Sequence, residues 1–536
     1  MEQNETPVGT NADQETNHTP VCTSSVAQPT DTTVGTNCDT SPIATLPDPV
    51  PAPEAARDKA QADEGETLRD SLVRMVSEAG CELFHDRSSN TYVTVPIDDH
   101  KEHWRLRSDG FRRWMRHHYH RLTGHGIGTS VIADAMDTLD AIAAYSDQEH
   151  PVHIRTAHHG TDIYIDLCDD QWRAIHISAN GWKITEAPPV RFVRTKGMQP
   201  LPVPVPGGSI DALRPLINAP TDDIWCLIVA WILATFSQGP FPVLVLLGEQ
   251  GSSKSFCCRV IRRLIDPSEI EVTSSPKEAR DVIMAANNSH VLALDNLSGI
   301  PIWLSDLLCG IATGAAHRER KYHTNNGDEE LFRVKRPIVL NGIDFAMRDD
   351  LLSRSFLVTL PVILDENRQD ETELWTAINN ATSSILGGIC DALSSILKKL
   401  PTTKLATLPR MADAALWVTA AEESLGWPQG HFMDLYGGNR DRSAELALES
   451  DSFGLALHQF MIATQQTECL LTWQELVSSL GNGQNQFGWP KNSKAVATRL
   501  TRLAPALRHV AIHWQHERVN GKRYYKIWTD VADVAT

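Results

Sequence analysis

The sequence lacks several features that would place it outside the reducing interior of a cell. None of its cysteines is separated from another by two residues, and none has the Cys/His spacing of a zinc site. The longest apolar run, residues 224–236, is shorter than the roughly 20 residues of a membrane-spanning helix. The amino-terminal end has no basic segment followed by an apolar one, as a secretory leader would. We therefore expect reduced thiols, no membrane anchor and a cytoplasmic location.

Charge is distributed unevenly along the chain. The net charge is −18, and residues 1–66 hold twelve acidic side chains against only Arg57 and Lys59. This segment is rich in Thr, Pro, Asn and Gln and has few apolar residues, so it cannot bury enough surface to offset the entropy of ordering. Residues 1–65 are predicted to be a disordered acidic tail.

Periodicity predicts four further segments. Residues 66–200 combine two amphipathic helices with short alternating strands, typical of an α+β domain, whose role the sequence does not indicate. Prolines at 200–206, with Gly207 and Gly208, suggest a linker. Residues 201–400 alternate apolar strands with helices, and helix 371–400 is interpreted as a lid. A helical connector, 401–450, precedes three helices and a hairpin at 451–536, the order of a winged helix.

A glycine- and serine-rich loop follows the apolar strand 243–247 and opens a helix. In this context it predicts a P-loop that binds the phosphates of ATP through backbone N–H groups and a helix N-terminus. Lys254 would reach the β- and γ-phosphates and Ser255 would bind Mg²⁺, whereas Ser253 stands where the common pattern has glycine. The predicted nucleotide-binding residues are Gly248, Glu249, Gln250, Gly251, Ser252, Ser253, Lys254, Ser255 and Phe256.

Two later strands end in polar residues suited to phosphoryl transfer. Asp295 ends the strand 291–294 and is predicted to hold Mg²⁺ together with Ser255. Asn296 follows where many ATPases carry a glutamate, so the catalytic base is unassigned and Asn296 would orient the attacking water. Asn341, after strand 337–340, is a candidate polar sensor, although a simple turn residue fits its Asn-Gly setting too.

An arginine is expected to act on a neighbouring subunit. Arg354 lies just before the apolar run 356–360 and is the candidate arginine finger of a homo-oligomeric ring. Arg348 is the alternative, and an ordinary surface ion pair is the plain explanation of either.

With these motifs assembled, residues 150–360 resemble the ATP-binding proteins of phages and mobile elements that are related to superfamily 3 helicases and to the helicase half of viral primase-helicases. The run from Gly248 to Ser255 is close to the GEQGSAKS loop of that group. The segments 285–290, 294–298 and 339–343 resemble it as well. The resemblance implies an AAA+-like P-loop NTPase of DNA replication. The sequence shows neither a zinc-ribbon primase module nor a clear set of polymerase carboxylates, so the resemblance does not extend to primer synthesis.

The resemblance also implies a DNA-binding hairpin just before the third strand of the core. The cations Arg318, Arg320, Lys321 and His323 lie at that location, and such side chains bind phosphates with release of counterions. A solvated charged surface is the plain alternative.

The carboxyl-terminal segment offers a second basic surface. Residues 484–526 hold nine Lys or Arg against Glu517 alone, in an otherwise acidic protein. If the winged helix binds DNA rather than protein, the contacts are predicted from Lys494, Arg499, Arg502, Arg518, Lys522 and Arg523. The basic and aromatic stretch 101–121 is a third candidate, with an amphipathic core helix as its alternative.

The sequence therefore predicts a DNA-dependent ATPase that uses ATP and Mg²⁺ and acts on single-stranded or forked DNA as a replicative helicase or translocase of a phage or mobile element. Primase or other replication proteins are possible partners. The alternative is a nucleotide-gated switch or helicase loader that does not unwind DNA. A small-molecule kinase would leave the basic carboxyl-terminal segment unexplained.

Overall fold

The computed structural model of the chain describes residues 66–320, 329–342, 347–464, 467–481 and 489–530. These residues belong to one compact unit that spans 60–536. The acidic tail predicted at 1–65 lies outside the described residues. None of the helices in the described segments has both the length and the apolar character needed to cross a bilayer.

The first part of the unit is a small α+β layer. A three-stranded antiparallel sheet of order β1-β2-β3 is covered by three helices. Its core contains Leu72, Val93, Phe111 and Ile132, all fully buried. The elements are α1 (Leu68–Glu78), β1 (Glu82–His85), β2 (Thr91–Ile97), β3 (His100–Arg105), α2 (Asp109–Thr123) and α3 (Thr129–Ala144).

A second antiparallel sheet, of order β5-β6-β7-β8, follows. Its apolar residues, among them Ile163 and Ile175, join the large hydrophobic core that also holds residues of the 210–436 segment. The predicted boundary near residue 200 therefore does not separate two cores. The strands are β4 (Val152–His153), β5 (Thr156–His159), β6 (Asp162–Asp166), β7 (Ala174–Ser178), β8 (Gly181–Thr185) and β9 (Arg191–Phe192).

The centre of the molecule is a parallel sheet with helices on both faces. Its elements are α4 (Asp222–Ala234), β10 (Val243–Leu247), α5 (Lys254–Ile265), α6 (Ala279–Asn288), β11 (Leu292–Leu297), α7 (Ile302–Thr313), β12 (Ala316–Arg320), β13 (Glu329–Arg333), β14 (Ile338–Gly342), α8 (Asp349–Leu352), β15 (Ser355–Thr359) and α9 (Glu371–Lys399), with 3-10 turns at Ile210–Leu216 and Asp365–Asn367.

The parallel strands have the order β11-β14-β10-β15. Side chains alternate between the two faces of β10, so that Leu244 and Leu246 pack into one core, and Val243 and Val245 into the other. The first core includes α4, α5 and α9, and the second includes α6 and α7. The prediction of an α/β core is confirmed, and all four strands present their carboxyl ends at the same edge.

The proline-rich segment after residue 200 is packed and is not a free linker. The backbone N–H of Val205 donates to the carbonyl of Ser383 in α9. A Cβ on Gly387 would lie 1.9 Å from the carbonyl oxygen of Val205, and one on Gly388 would lie 2.4 Å from the nitrogen of Ile210. Only glycine permits this approach of two backbones, so the prediction of a linker is wrong.

The long helix α9 is part of the core along most of its length. It contacts the Ile210–Leu216 turn, β7, β8 and α5, and buries Ile385, Ile389 and Leu393 completely or nearly so. Within α9, Leu374 in the first turns lines the cavity that lies over the loop 248–253. The helix expected at 371–400 is confirmed, and most of its length is packed into the core.

The carboxyl-terminal part continues the second hydrophobic core. A three-stranded antiparallel sheet of order β16-β18-β17 packs with three helices, and residues such as Phe453 and Tyr525 share a cluster with the parallel sheet. The short strand β16 was not expected from the sequence. The elements are α10 (Ala412–Thr419), α11 (His431–Glu449), α12 (Ser452–Thr464), β16 (Glu468–Leu471), α13 (Trp473–Ser479), α14 (Ser493–His509), β17 (Ile512–Val519) and β18 (Lys522–Thr529).

Candidate nucleotide-binding site

The loop 248–253 joins the carboxyl end of β10 to the start of α5. Gly248 has φ 145°, and a Cβ there would lie 2.5 Å from the carbonyl oxygen of Leu360. The backbone N–H of Leu360 donates in turn to Leu247, at 2.8 Å. Because β15 approaches β10 so closely at this point, the loop cannot begin with any larger residue.

Ser253 occupies the left-handed region of the backbone, with φ 62° and ψ 27°, immediately before α5. A Cβ in this region costs roughly 1–2 kcal/mol, which explains why glycine is common at the position. Ser252, by contrast, is fully buried, and its hydroxyl donates to the carbonyl of Glu249 at 2.9 Å. The loop therefore forms with serine at 253 and is closed internally by Ser252.

Lys254 is folded over the loop. Its Nζ donates to the carbonyl oxygens of Gly248 and Glu249 at 2.8 and 2.7 Å. Burial lowers the pKa of the ammonium group, and the nearby Asp295 carboxylate opposes that effect. The cation thus lies against loop carbonyls, within the space where phosphates would be wrapped.

Ser255 and Asp295 are brought together from two elements. Ser255 lies in the first turn of α5 and Asp295 lies in β11, and the hydroxyl Oγ of Ser255 donates to Oδ1 of Asp295 at 2.7 Å. A hydroxyl and a carboxylate in contact at the edge of a parallel sheet are the two protein ligands that Mg²⁺ takes in P-loop sites. Mg²⁺ needs only one or two carboxylates besides phosphate and water, so this pair suits it.

Asn341 connects the ends of β11 and β14. Its Oδ1 accepts from the backbone N–H of Asn296 at 2.9 Å, and Asn296 itself adopts φ 55° with its side chain exposed. The Nδ2 of Asn341 is buried without an oxygen or nitrogen acceptor among the residues that the structure describes, and the thiol of Cys258 is its neighbour. A donor that faces only a weak sulfur acceptor is available to an ordered water or a bound anion.

An open cavity of about 740 Å³ lies over the loop. This volume is in the range of pockets that hold nucleotide-sized ligands. Its walls include residues 250–256 of the loop and helix, together with Asn296 and Asn341. The chemistry of the walls, with loop N–H groups, a lysine and the Ser255–Asp295 pair, fits ATP with Mg²⁺.

Several residues of the cavity were missed by the sequence reasoning, and two of them contact the loop or lie close to it. The Nδ2 of Asn218 donates to the carbonyls of Ser252 and Pro361, at 3.0 and 2.7 Å, and so ties the loop to a distant segment. Arg368 lines the cavity, and its Nη2 would lie 3.2 Å from a Cβ on Gly251. Neither belongs to a local motif, because each reaches the loop from far away in the sequence.

Arg354 is held by its own chain. Its Nη1 lies 2.6 Å from Oδ1 of Asp350, which also pairs with Arg410 at 2.5 Å. Burial opposes ionisation of Asp350, but the two arginines lower its pKa to about 2. Arg348 pairs separately with Asp306 at 2.6 Å. Either arginine would have to leave an intramolecular partner before acting on a neighbouring subunit.

Two of the four basic residues predicted just before β14 lie among the described residues. Arg318 and Arg320 lie in β12, which pairs antiparallel with β13 immediately before β14. A two-stranded ribbon is therefore present where the hairpin was expected. Lys321 and His323 lie outside the described residues.

The basic residues of the carboxyl-terminal part divide into two groups. Arg499 and Arg502 of α14 both pair with the buried carboxylate of Asp451, at 2.8 and 2.7 Å. They therefore hold α14 to the start of α12. Lys494 lies in the first turn of α14, and the exposed residues Arg518, Lys522 and Arg523 flank the turn between β17 and β18.

Two family models match successive parts of the chain. Residues 210–426 match the family described as actinomycete integrative conjugative element replication protein. Residues 453–532 match the family described as the AICE RepA C-terminal domain. The chain is thus similar to replication proteins of a mobile element over both the central parallel sheet and the carboxyl-terminal sheet, and the expectation of a mobile-element replication protein is supported at that level.

Solved structures show weaker likenesses. The apo A form of the NrS-1 C-terminal region is 11% identical, covers 86% of this chain and 99% of its own, and has a TM-score of 0.38. The SCCmec type IV Cch protein, described as an active helicase, is 11% identical, covers 85% and 94%, and has a TM-score of 0.43. Likenesses at this level do not bear on the activity of the chain. No curated protein matches it.

Proposed function

We propose that this protein is a DNA-dependent ATPase that acts as a replicative helicase or translocase of a mobile genetic element. The observation that carries the proposal is the Ser255–Asp295 contact of 2.7 Å beside a glycine-rich loop at the carboxyl edge of a parallel sheet. The similarity of residues 210–426 to a conjugative element's replication protein supports the biological setting.

The loop would bind the phosphates of ATP. Its N–H groups and the N-terminus of α5 favour negative charge, and Lys254 would exchange its carbonyl partners for β- and γ-phosphate oxygens. Mg²⁺ at Ser255 and Asp295 would neutralise charge on the same oxygens. This exchange costs little, because the lysine leaves neutral acceptors for charged ones.

Hydrolysis needs a water placed in line with the γ-phosphorus. The oxygen of that water bonds to phosphorus as the bond to the β–γ bridging oxygen breaks, giving ADP and phosphate. Asn296 and Asn341 lie at the edge of the cavity and would orient the water rather than deprotonate it, which suffices where the transition state is loose. Arg368, which also lines the cavity, would contact the phosphates from the same chain.

DNA would be bound by the β12–β13 ribbon and by the carboxyl-terminal module. The order helix, strand, helix, helix and two strands in residues 452–529, with its three-stranded sheet, agrees with a winged helix. Lys494 and the turn with Arg518, Lys522 and Arg523 would lie against phosphates. Because Arg499 and Arg502 form ion pairs with Asp451, we assign them a structural role and not a DNA contact.

A nucleotide-gated switch or helicase loader is the alternative, and the amide at Asn296 favours it. A labelled fork incubated with ATP and Mg²⁺ separates the two. Strand separation by the wild type, and none by Lys254→Ala, supports the helicase. Binding of ATP and DNA without separation, until a replicative helicase is added, would replace the helicase by the loader.

A further inference from the structure

Arginine and histidine occupy five neighbouring positions along one side of α2, and Asp109, one turn earlier on that side, pairs with Arg112. The five positions follow the helical spacing i, i+3, i+4, i+7 and i+8, and all are exposed. The opposite face buries Phe111 and Met115 in the first core, which fixes the orientation of the helix. We call this set the α2 basic face, and it consists of Arg113, Arg116, His117, His120 and Arg121.

The charges of the α2 basic face are largely uncompensated. Among the described residues, neither Arg113 nor Arg121 forms an ion pair, and Arg116 donates only to the hydroxyl of Thr129, at 3.0 Å. Three acids of α2 and α3 are paired with other arginines. Asp137 and Asp140 of α3 hold Arg107 at 2.9 and 2.7 Å, and Asp109 pairs with Arg112 at 3.6 Å. A protein with a net charge of −18 therefore presents a local cationic strip.

Trp114, an aromatic residue of the same helix, is not free to stack on a base. Trp114 stacks on Phe111, with ring centroids 5.7 Å apart, and on His118, with centroids 4.9 Å apart. Both interplanar angles are below 15°, at 12° and 14°, so the two neighbours take up the indole's stacking surface. A ligand of the α2 basic face is thus recognised by charge and not by stacking on Trp114.

We propose that the α2 basic face binds the phosphate backbone of DNA. The proposal rests on the proposed function, which brings DNA to the protein. From residue 113 to 121 the helix rises roughly 12 Å, at 1.5 Å per residue, a length over which one strand presents several phosphates. This surface lies outside the two family matches, 210–426 and 453–532.

Binding to the phosphate backbone of DNA predicts three properties of the interaction. The affinity should be the same for unrelated sequences, because phosphates carry no sequence information. It should not prefer single strands through stacking, because Trp114 is occupied. It should fall steeply with salt, since each neutralised phosphate releases counterions.

The test measures fluorescence anisotropy of a labelled duplex and a labelled single strand, over a series of salt concentrations, with the full chain. The triple variant Arg113→Gln/Arg116→Gln/Arg121→Gln should show a weaker salt dependence on duplex. The negative slope of log affinity against log salt should become shallower by roughly 2–3, close to 0.9 per lost contact. The matched control is Arg112→Gln, on the same helix but paired with Asp109. The triple lysine variant keeps the charge and should retain the slope.

The outcomes separate this inference from the proposed function. The loss of slope in the glutamine triple, its retention in the lysine triple and an unchanged rate of ATP hydrolysis without DNA support the α2 basic face. Wild-type slope and affinity in the glutamine triple overturn it and leave the proposed function intact. No binding of DNA by the wild type at low salt overturns both.

Discussion

The hydroxyl of Ser255 donates to Oδ1 of Asp295 at 2.7 Å, across forty positions of sequence. The contact exists because β10 and β11 are parallel members of one sheet, with only β14 between them. Residues at or just after the carboxyl ends of the two strands therefore lie at the same edge. Most of the functional account depends on this pair.

The first prediction concerns metal-dependent turnover. Ser255→Ala and Asp295→Asn should each reduce Mg²⁺-dependent ATP hydrolysis by about 100-fold or more, because each removes one of two protein ligands. Binding of a fluorescent ATP analogue in EDTA should persist, since the loop N–H groups remain. Asp281→Asn, an exposed acid on α6, is the control. Full turnover in Asp295→Asn would contradict the assignment of the metal ligands.

The second prediction concerns the backbone of Ser253. Ser253→Gly should raise the free energy of unfolding by about 0.5–1 kcal/mol, because relief of the left-handed strain exceeds the entropy that glycine adds to the unfolded chain. Ser253→Val should destabilise the protein and weaken ATP binding, since a β-branched residue does not adopt this conformation. Thermal unfolding measures both. Ser253→Ala separates the hydroxyl from the Cβ and should behave as the wild type.

The third prediction concerns the packing of the proline-rich segment on α9. Gly387→Ala should lower the free energy of unfolding by about 3 kcal/mol, because its Cβ would overlap the carbonyl oxygen of Val205. Gly438→Ala in α11 is the matched control. It has no neighbour within 4 Å and should stabilise the protein by about 0.5–1 kcal/mol, as alanine does in a helix. Equal effects of the two changes would show that the segment is not packed.

The fourth prediction concerns acid sensitivity. Burial lowers the pKa of His290 to about 4, and its Nε2 lies 3.0 Å from the carbonyl of Thr235. In the unfolded chain His290 is protonated as the pH falls below about 6.5, whereas in the folded chain it stays neutral until about pH 4. The free energy of unfolding should therefore decrease as the pH falls from 6.5 to 4. His103 and His153, whose pKa values burial also lowers to about 4, act in the same direction.

His290→Gln tests this window. It removes one titrating group, so chemical denaturation at several pH values should give a flatter dependence of stability on pH, by roughly 1.4 kcal/mol for each unit of pKa shift. His159→Gln, at an exposed position, serves as the control. A dependence as steep as that of the wild type would show that His290 is not the group responsible.

The elements that the sequence predicts well are those with strong local signals. The strand at 243–247, the loop from Gly248 and the long helix at 371–400 each have an apolar run, a glycine or a regular period of their own. Asn218, Arg368 and the close approach of Val205 to Gly387 depend on residues far apart in the chain. No local pattern reports such contacts. For the same reason the proline-rich segment looked like a linker.

The short strand β16 shows a different limit. Glu468–Leu471 has one buried residue, Cys469, so it carries no alternation that stands out from a loop. The segment forms a strand because its backbone pairs with that of β18. The roles of Arg499 and Arg502 were likewise not predicted, because their common partner, Asp451, lies some fifty positions earlier in the sequence, before α12.

The most direct test of the account is steady-state ATP hydrolysis by the purified protein with and without single-stranded DNA, compared with Lys254→Ala and with Lys398→Ala as an exposed control. Hydrolysis that DNA stimulates, that Lys254→Ala abolishes and that Lys398→Ala retains is the predicted result. Bound ATP with no hydrolysis under either condition would contradict the motor, and would make the protein a nucleotide-gated switch.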